Sequence, residues 1–168
     1  MGSVQFGIPR ELALSLKEKY GICVFFETGT LEGHTAEWAS GHFDLVETIE
    51  KDEFWFIKTS ERLSHIKNIH FGNFDSAELM ETMERGPMAW RNTLFWLDAH
   101  TNEYCPVLRE IGVINRCEVP GVILVDDARL FDALTAWPRK ADVIAALENG
   151  GKRTVWEVED VLVAEPCL

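Results

Sequence analysis

Phe25-Phe26-Glu27-Thr28-Gly29-Thr30-Leu31-Glu32-Gly33-His34-Thr35 is the stretch on which the reading of the fold turns. It closes an apolar run over residues 22–27 and opens a helical pattern over 34–40, with two glycines between them. A continuous apolar run, rather than an alternating one, suits a strand buried on both faces of a parallel sheet. Glycines after such a strand permit a tight turn with close backbone approach, and the helix that follows offers unpaired N–H groups. The turn is not the full G-x-G-x-x-G dinucleotide pattern, because Leu31 stands where another glycine is wanted and Glu32 would repel a pyrophosphate. A less anionic cofactor is therefore preferred. Taken alone, the two glycines suit equally a turn that binds nothing.

The same rhythm extends in both directions. Upstream, Pro9 and Glu11 mark a helix start, Leu12, Leu16 and Tyr20 recur at helical spacing, and Lys17 and Lys19 precede Gly21. Downstream, apolar runs over 45–50, 66–71, 93–97 and 122–125 alternate with helical patterns over 52–64, 76–85 and 106–115, the last with Val107, Ile111 and Ile114 on one stripe. A helix over 138–149 closes at Gly150-Gly151. Runs over 153–158 and 161–164 are then separated only by Glu159-Asp160, too few residues for a crossover helix but enough for a hairpin. The expectation is an α/β fold with a mostly parallel sheet and an antiparallel strand at or near its end.

No repeat or Pro/Gly/Ser-rich linker divides the 168 residues, so residues 1–168 are read as one domain. Sixteen Lys and Arg against 28 Asp and Glu leave a formal charge of −12. A phosphate backbone or an anionic membrane surface would be repelled, which argues against nucleic acid and membrane partners. The apolar runs are too short to cross a bilayer, and the N-terminal residues lack a basic segment followed by an apolar stretch. Cys23, Cys105, Cys117 and Cys167 form no C-x-x-C pair, so reduced thiols in a cytoplasm fit best.

In open α/β sheets ligands bind outside the carboxyl ends of the strands, so the residues just after each apolar run carry the chemistry. Glu50 ends the second run, at the spacing from the first strand where an acid accepts hydrogen bonds from a ribose diol; it also suits the first turn of a helix. Gly72-Asn73-Phe74-Asp75-Ser76 follows the third run and could meet an adenine edge, although Asp75 and Ser76 are also ordinary N-caps. Asp98-Ala99-His100 follows the fourth run and Asp126-Asp127-Ala128-Arg129 the fifth. If those strands are neighbours, three carboxylates meet, and their repulsion calls for a hard cation such as Mg²⁺ or for shared protons. The alternative is a set of exposed loop charges. His100 could be a base, a zinc ligand with Asp98 and Cys105, or a ring packed over a ligand, with zinc the least suited. His34, His42, His65 and His70 show no ligand spacing, and tryptophans such as Trp55 and Trp96 read as core.

These residues resemble the class I S-adenosylmethionine-dependent methyltransferases, and among them the divalent-metal-dependent catechol-type O-methyltransferases. Glu27-x-Gly29-x-x-x-Gly33-x-Thr35 is similar to that group's first motif, which cradles the methionine part of the cofactor. Glu50 stands where the family binds the ribose hydroxyls, and Gly72, Asp75 and Ser76 resemble the segment beside the adenine. Asp98 falls at the first metal aspartate and Asp126-Asp127 at the family's Asp-Asn. The resemblance implies a Rossmann-like methyltransferase fold: a seven-stranded, mostly parallel sheet with helices on both faces and an antiparallel C-terminal hairpin. It implies S-adenosylmethionine as cofactor, a divalent cation held by Asp98, Asp126 and Asp127, and methyl transfer to a small-molecule hydroxyl with Asp98 at the catalytic centre. At His100 the relatives place a residue that packs near the adenine, and it is from imidazole chemistry, not from the resemblance, that His100 is expected to assist proton removal. Asp98 would then also line the cofactor site.

Thr101 occupies the place of the family's proton-abstracting lysine, and Asp127 replaces its asparagine. Substrate contacts are expected from the N-terminal segment and from residues 102–105 and 130–137. The rival readings are a metal-independent methyltransferase of sugars or other small molecules, and a non-catalytic cofactor-binding module. The oligomeric state stays open, a homodimer among the options.

Overall fold

A computed structural model describes residues 7–83, 92–117 and 121–167. The elements run α1 (Arg10–Tyr20), β1 (Val24–Thr28), α2 (His34–Ser40), β2 (Leu45–Glu50), α3 (Glu53–Arg62), β3 (Ile69–Asn73), α4 (Ser76–Met83), β4 (Thr93–Leu97), α5 (Val107–Arg116), β5 (Gly121–Val125), α6 (Lys140–Glu148), β6 (Arg153–Val158) and β7 (Val161–Pro166). The strands form one seven-stranded sheet in the order β3-β2-β1-β4-β5-β7-β6. The first five are parallel to one another, and β7 runs antiparallel to both β5 and β6. The architecture expected from the resemblance is the one observed.

Local chemistry sets the boundaries. α1 closes on Gly21 at φ 61°, whose N–H bonds back to Lys17 O in a left-handed cap. Asp52 caps α3 by accepting from the Trp55 N–H at 3.1 Å. Glu159 and Asp160 both take positive φ, 48° and 71°, the twist that a two-residue hairpin between β6 and β7 requires.

β4 and β5 are buried along their whole length because they feed two cores in alternation. Phe95, Leu97, Ile123 and Leu162 pack against α5 and α6 on one face, while Leu94, Trp96, Leu124 and Val163 pack with α1 and α2 on the other. This double burial is the physical source of the unbroken apolar runs.

One boundary differs from the sequence expectation. β3 begins at Ile69, not at Ile66. The Ile66 N–H bonds to Leu63 O in a turn, and the Asn68 amide donates to Ser40 O and Phe43 O, so pairing with Val46 starts only at Ile69. The expected end of α4 at Arg85 lies outside the described residues. No helix among the described residues is long and apolar enough to cross a membrane.

Candidate functional site

The site grows from the turn after β1. Thr28 pairs with Leu97 of β4, so the next residues, Gly29 and Asp98, lie side by side. Gly29 has φ +85°, and a Cβ there would sit 2.5 Å from Asp98 O; only glycine allows this approach. Gly33, at φ +73°, lies so close to α3 that a Cβ would meet the Thr59 methyl at 2.5 Å. Between them Leu31 holds φ 48°, kept there by its N–H donating to Glu50 Oε2 at 2.8 Å and by the Thr59 hydroxyl donating to Leu31 O. Glu50 also accepts from the Asp52 N–H at 2.8 Å, so one carboxylate ties the glycine turn to the start of α3.

Two cavities meet at this turn and share Gly29, Leu31 and Asp98. The first, of about 410 Å³, lies over the ends of β2 and β3 and is walled by Glu50, Trp55, Phe74, Ser76, His100 and Tyr104 among others. Asp75 organises its far side: it accepts from Tyr104 Oη at 2.7 Å, from Lys51 Nζ at 2.9 Å and from the Glu78 N–H at 3.2 Å. Burial pushes the Asp75 carboxyl up, but these three donors outweigh it and hold it below its usual range. The Tyr104 hydroxyl is pushed up to about 12 by burial and by its bond to Asp75. The loop carrying Tyr104 is fixed at its other end, where the Trp137 indole N–H donates to Thr101 O at 2.8 Å.

The second cavity, of about 350 Å³, lies over the ends of β1, β4 and β5 and reaches Gly7, Arg10, Thr35, Arg129 and Asp160. Its floor is acidic. Glu27 is buried and accepts from the Thr48 hydroxyl at 2.5 Å; burial lifts its carboxyl to about 8 against that donor. Asp98 is raised well above the usual range by burial, then by the carboxylates of Asp126, Glu27 and Asp127, with the Trp96 indole acting the other way. Burial lifts Asp126 to about 6, opposed by the Asp127 N–H that donates to its Oδ1 at 2.8 Å.

The three carboxylates expected to hold a cation do come to one edge, yet their orientation serves other partners. Arg129 pairs with both Asp127 and Asp160, and Asp126 folds onto its own chain. Among the described residues no group of three or more His, Cys, Asp or Glu side chains is arranged to hold a metal ion. The repulsion foreseen from the sequence is relieved by an internal cation, Arg129, and by raised carboxyl pKa values. The residues present therefore do not fit a divalent cation as they stand.

His100 sits between the cavity wall and the core. Its ring tilts against Trp137 at 4.4 Å between centroids, and Nε2 lies 3.3 Å from Asp98 Oδ1 and 3.5 Å from Asp127 Oδ2. No hydrogen bond of good geometry reaches Nε2, which is buried. Burial lowers the imidazole pKa against the pull of Asp127, so the ring is neutral at pH 7.

The residues singled out from the sequence thus divide. Gly29, Glu50, Asp75, Ser76, Asp98 and His100 line the first cavity, whereas Glu27, Gly33, Thr35, Asp126 and Asp127 line the second. Gly72 stays inside β3, paired with Ile49, and lines neither of these cavities. Trp55 is half-buried in the first cavity rather than in the core, unlike Trp96, which is fully buried. His34 lies exposed at the second cavity beside Glu32, and His42 packs on Trp38. Phe74 and Tyr104 fall within stretches the sequence singled out, without a role of their own there, and Lys51 was passed over. The Lys51 ammonium lies 4.5 Å over the Tyr104 ring.

No protein-family model matches the chain, and no curated protein sequence matches it. Solved structures do. A candidate caffeoyl-CoA O-methyltransferase from Staphylococcus aureus superposes with TM-score 0.70 at 13% identity, over 96% of this chain and 84% of that one. An O-methyltransferase from Bacillus cereus in complex with SAH (S-adenosylhomocysteine) gives 0.67 at 14% identity, over 97% and 82%. The 23S rRNA methyltransferase ErmE gives 0.61 at 14%, over 98% and 72%. The likeness is one of fold: this chain has the fold of the class I S-adenosylmethionine-dependent methyltransferases.

Proposed function

We propose that the protein is an S-adenosylmethionine-dependent methyltransferase acting on a hydroxyl group of a small molecule. The observation that carries this reading is the pair of cavities joined at Gly29. An elongated cofactor with a flat aromatic base at one end and a cationic amino-acid group at the other suits an aromatic-walled pocket opening onto an acid-lined one. Trp55 and Phe74 supply apolar faces for the base, and Glu50 keeps lone pairs for a ribose diol while bracing the turn. Glu27 and Asp98 face the cationic end.

When bound, S-adenosylmethionine supplies an electrophilic methyl group on a sulfonium. The chain contributes position and proton handling. His100, kept neutral by burial, accepts the acceptor's hydroxyl proton, and the Asp127 carboxylate, 3.5 Å from Nε2, stabilises the imidazolium that forms, with Asp98 beside the ring at 3.3 Å. This route replaces the lysine missing at Thr101, whose backbone instead anchors the loop through Trp137 and Tyr104. With Arg129 already paired to Asp127, the reading needs no resident cation. The charge of −12 favours a small acceptor over RNA.

Calorimetric titration with S-adenosylhomocysteine, in Mg²⁺ and again in EDTA, tests the reading. Equal binding in both buffers is the expected result. Absence of binding in both overturns the cofactor assignment, and binding only with Mg²⁺ returns the cation to Asp98, Asp126 and Asp127.

A further inference from the structure

Glu110 lies on α5, between Val107 and Ile111 on the helix's buried face, and is 1% exposed. A carboxylate in that place is costly unless it is hydrogen-bonded, and among the described residues no Lys or Arg forms an ion pair with it: the neighbouring Arg109 turns outward to Glu81. Its partners are two hydroxyls. Ser76 Oγ, at the start of α4, donates to Glu110 Oε1 at 2.5 Å, and the Thr28 hydroxyl, at the end of β1, donates to the same carboxylate. Thr28 Oγ1 in turn accepts from the Asp98 N–H at 3.2 Å. All three side chains, Glu110, Ser76 and Thr28, are buried.

One carboxylate therefore links the element behind the first cavity, through Ser76, to the strand end that presents Asp98, through Thr28. Ser76 and Thr28 lie 34 and 82 residues before Glu110 in the chain. Burial lifts the Glu110 carboxyl to about 7 despite the two hydroxyl donors, which shows how strongly its surroundings resist the charge. An apolar residue of the same volume would remove that resistance but leave the two buried hydroxyls without their acceptor. What the apolar residue could not do is accept two hydrogen bonds.

We propose that Glu110 is a positioning residue: by holding Ser76 and Thr28 it fixes the start of α4 and the ends of β1 and β4 as one rigid wall, so that Asp98 and the cofactor stay in register. This rests on the methyltransferase reading for its functional meaning. Glu110 touches neither cavity of the site and acts only through the two hydroxyls.

The test compares the parent with Glu110→Leu, Glu110→Gln and Thr28→Val, using S-adenosylhomocysteine affinity by calorimetry, Asp98 amide hydrogen exchange by NMR, and thermal melting. Glu110→Leu is expected to melt close to the parent yet bind about tenfold more weakly, the order found when a supporting partner behind a binding group is lost. Asp98 amide exchange should speed up by a similar factor while exchange at Leu124 in β5 does not change. Glu110→Gln, which keeps one acceptor oxygen, should recover part of both. A folded Glu110→Leu protein with parental affinity and parental exchange overturns the proposal, as do losses that merely track the fraction unfolded. Should Glu110→Leu fail to fold, the near-isosteric Thr28→Val variant is held to the same two outcomes. If the parent itself binds no S-adenosylhomocysteine, the methyltransferase reading falls and takes the functional role with it; a binding parent with unresponsive variants removes the role of Glu110 alone.

Discussion

The two cavities that meet at Gly29 are built on opposite principles. In the first, nearly every polar group has found its partner within the chain: Asp75 holds Tyr104, Lys51 and the start of α4, and Glu50 holds two backbone amides. In the second, carboxylates crowd together and are relieved by Arg129, by single donors such as the Thr48 hydroxyl and the Asp127 N–H, and by protons held above the usual carboxylate range. The first is organised before any ligand arrives and selects by shape. The second stores electrostatic repulsion and is set to respond to positive charge and to pH.

The change with the largest expected effect breaks the comparison, because it strikes the residue both cavities share. Gly29→Val places a side chain against Asp98 O at a backbone angle that β-branched residues avoid. We expect S-adenosylhomocysteine affinity to fall at least ~100-fold and stability by about 3 kcal/mol, read by calorimetry and chemical denaturation. Binding retained within a few-fold would mean that the cavities do not act as one site.

A smaller effect sharpens the electrostatic side. Glu27 keeps its proton in the folded state up to about pH 8, whereas the unfolded chain releases it near the ordinary Glu value. The folded state therefore binds more protons in that window, and stability falls as pH rises from about 4.5 through about 8. Glu27→Gln should flatten this fall, leaving the protein unchanged at pH 5 and more stable than the parent at pH 9, on the order of 2 kcal/mol. Parallel melting curves for parent and variant across that range would contradict the assignment.

The smallest effect belongs to the first cavity. Asp75→Asn keeps a cap for α4 but loses the charge that pairs with Lys51. A stability loss of about 1 kcal/mol is expected, with affinity lowered only a few-fold and the pH profile between 5 and 9 left as in the parent. A pH-dependent loss would show that the two cavities share their electrostatics after all.

The fold was legible because its strands are buried on both faces, which writes each of them into the sequence as a continuous apolar run bounded by turn residues. β3 was displaced because Ile66 and Asn68 belong to a turn whose bonds reach back to Ser40 and Phe43, contacts that no local pattern reports. Strand-end logic singled out Gly29, Glu50, Asp98 and His100, and the parallel topology brings those strand ends to the cavity walls. It could not supply orientation. Asp127 turns toward Arg129, two residues on, but the anchor that completes this pairing is Asp160 on the β6–β7 turn. Trp55 reads as core because it lies in a helix, yet it stands on the first turn of α3, which overhangs the end of the sheet. Glu110 did leave a signal: it is the acid set between Val107 and Ile114 on an otherwise apolar stripe.

The hairpin of β6 and β7 has a consequence for how the molecule is assembled. β7 inserts between β5 and β6, and its turn brings Asp160 to Arg129 and to the Ala128 and Arg129 amides. A chain emerging from the ribosome can join β1 to β5 in sequence order, which completes the walls around Trp55 and Tyr104. The acidic half must wait for a strand that arrives later and pairs with a distant partner, a slow kind of closure. Of the two halves of the site, the one that carries the charge is the last to mature.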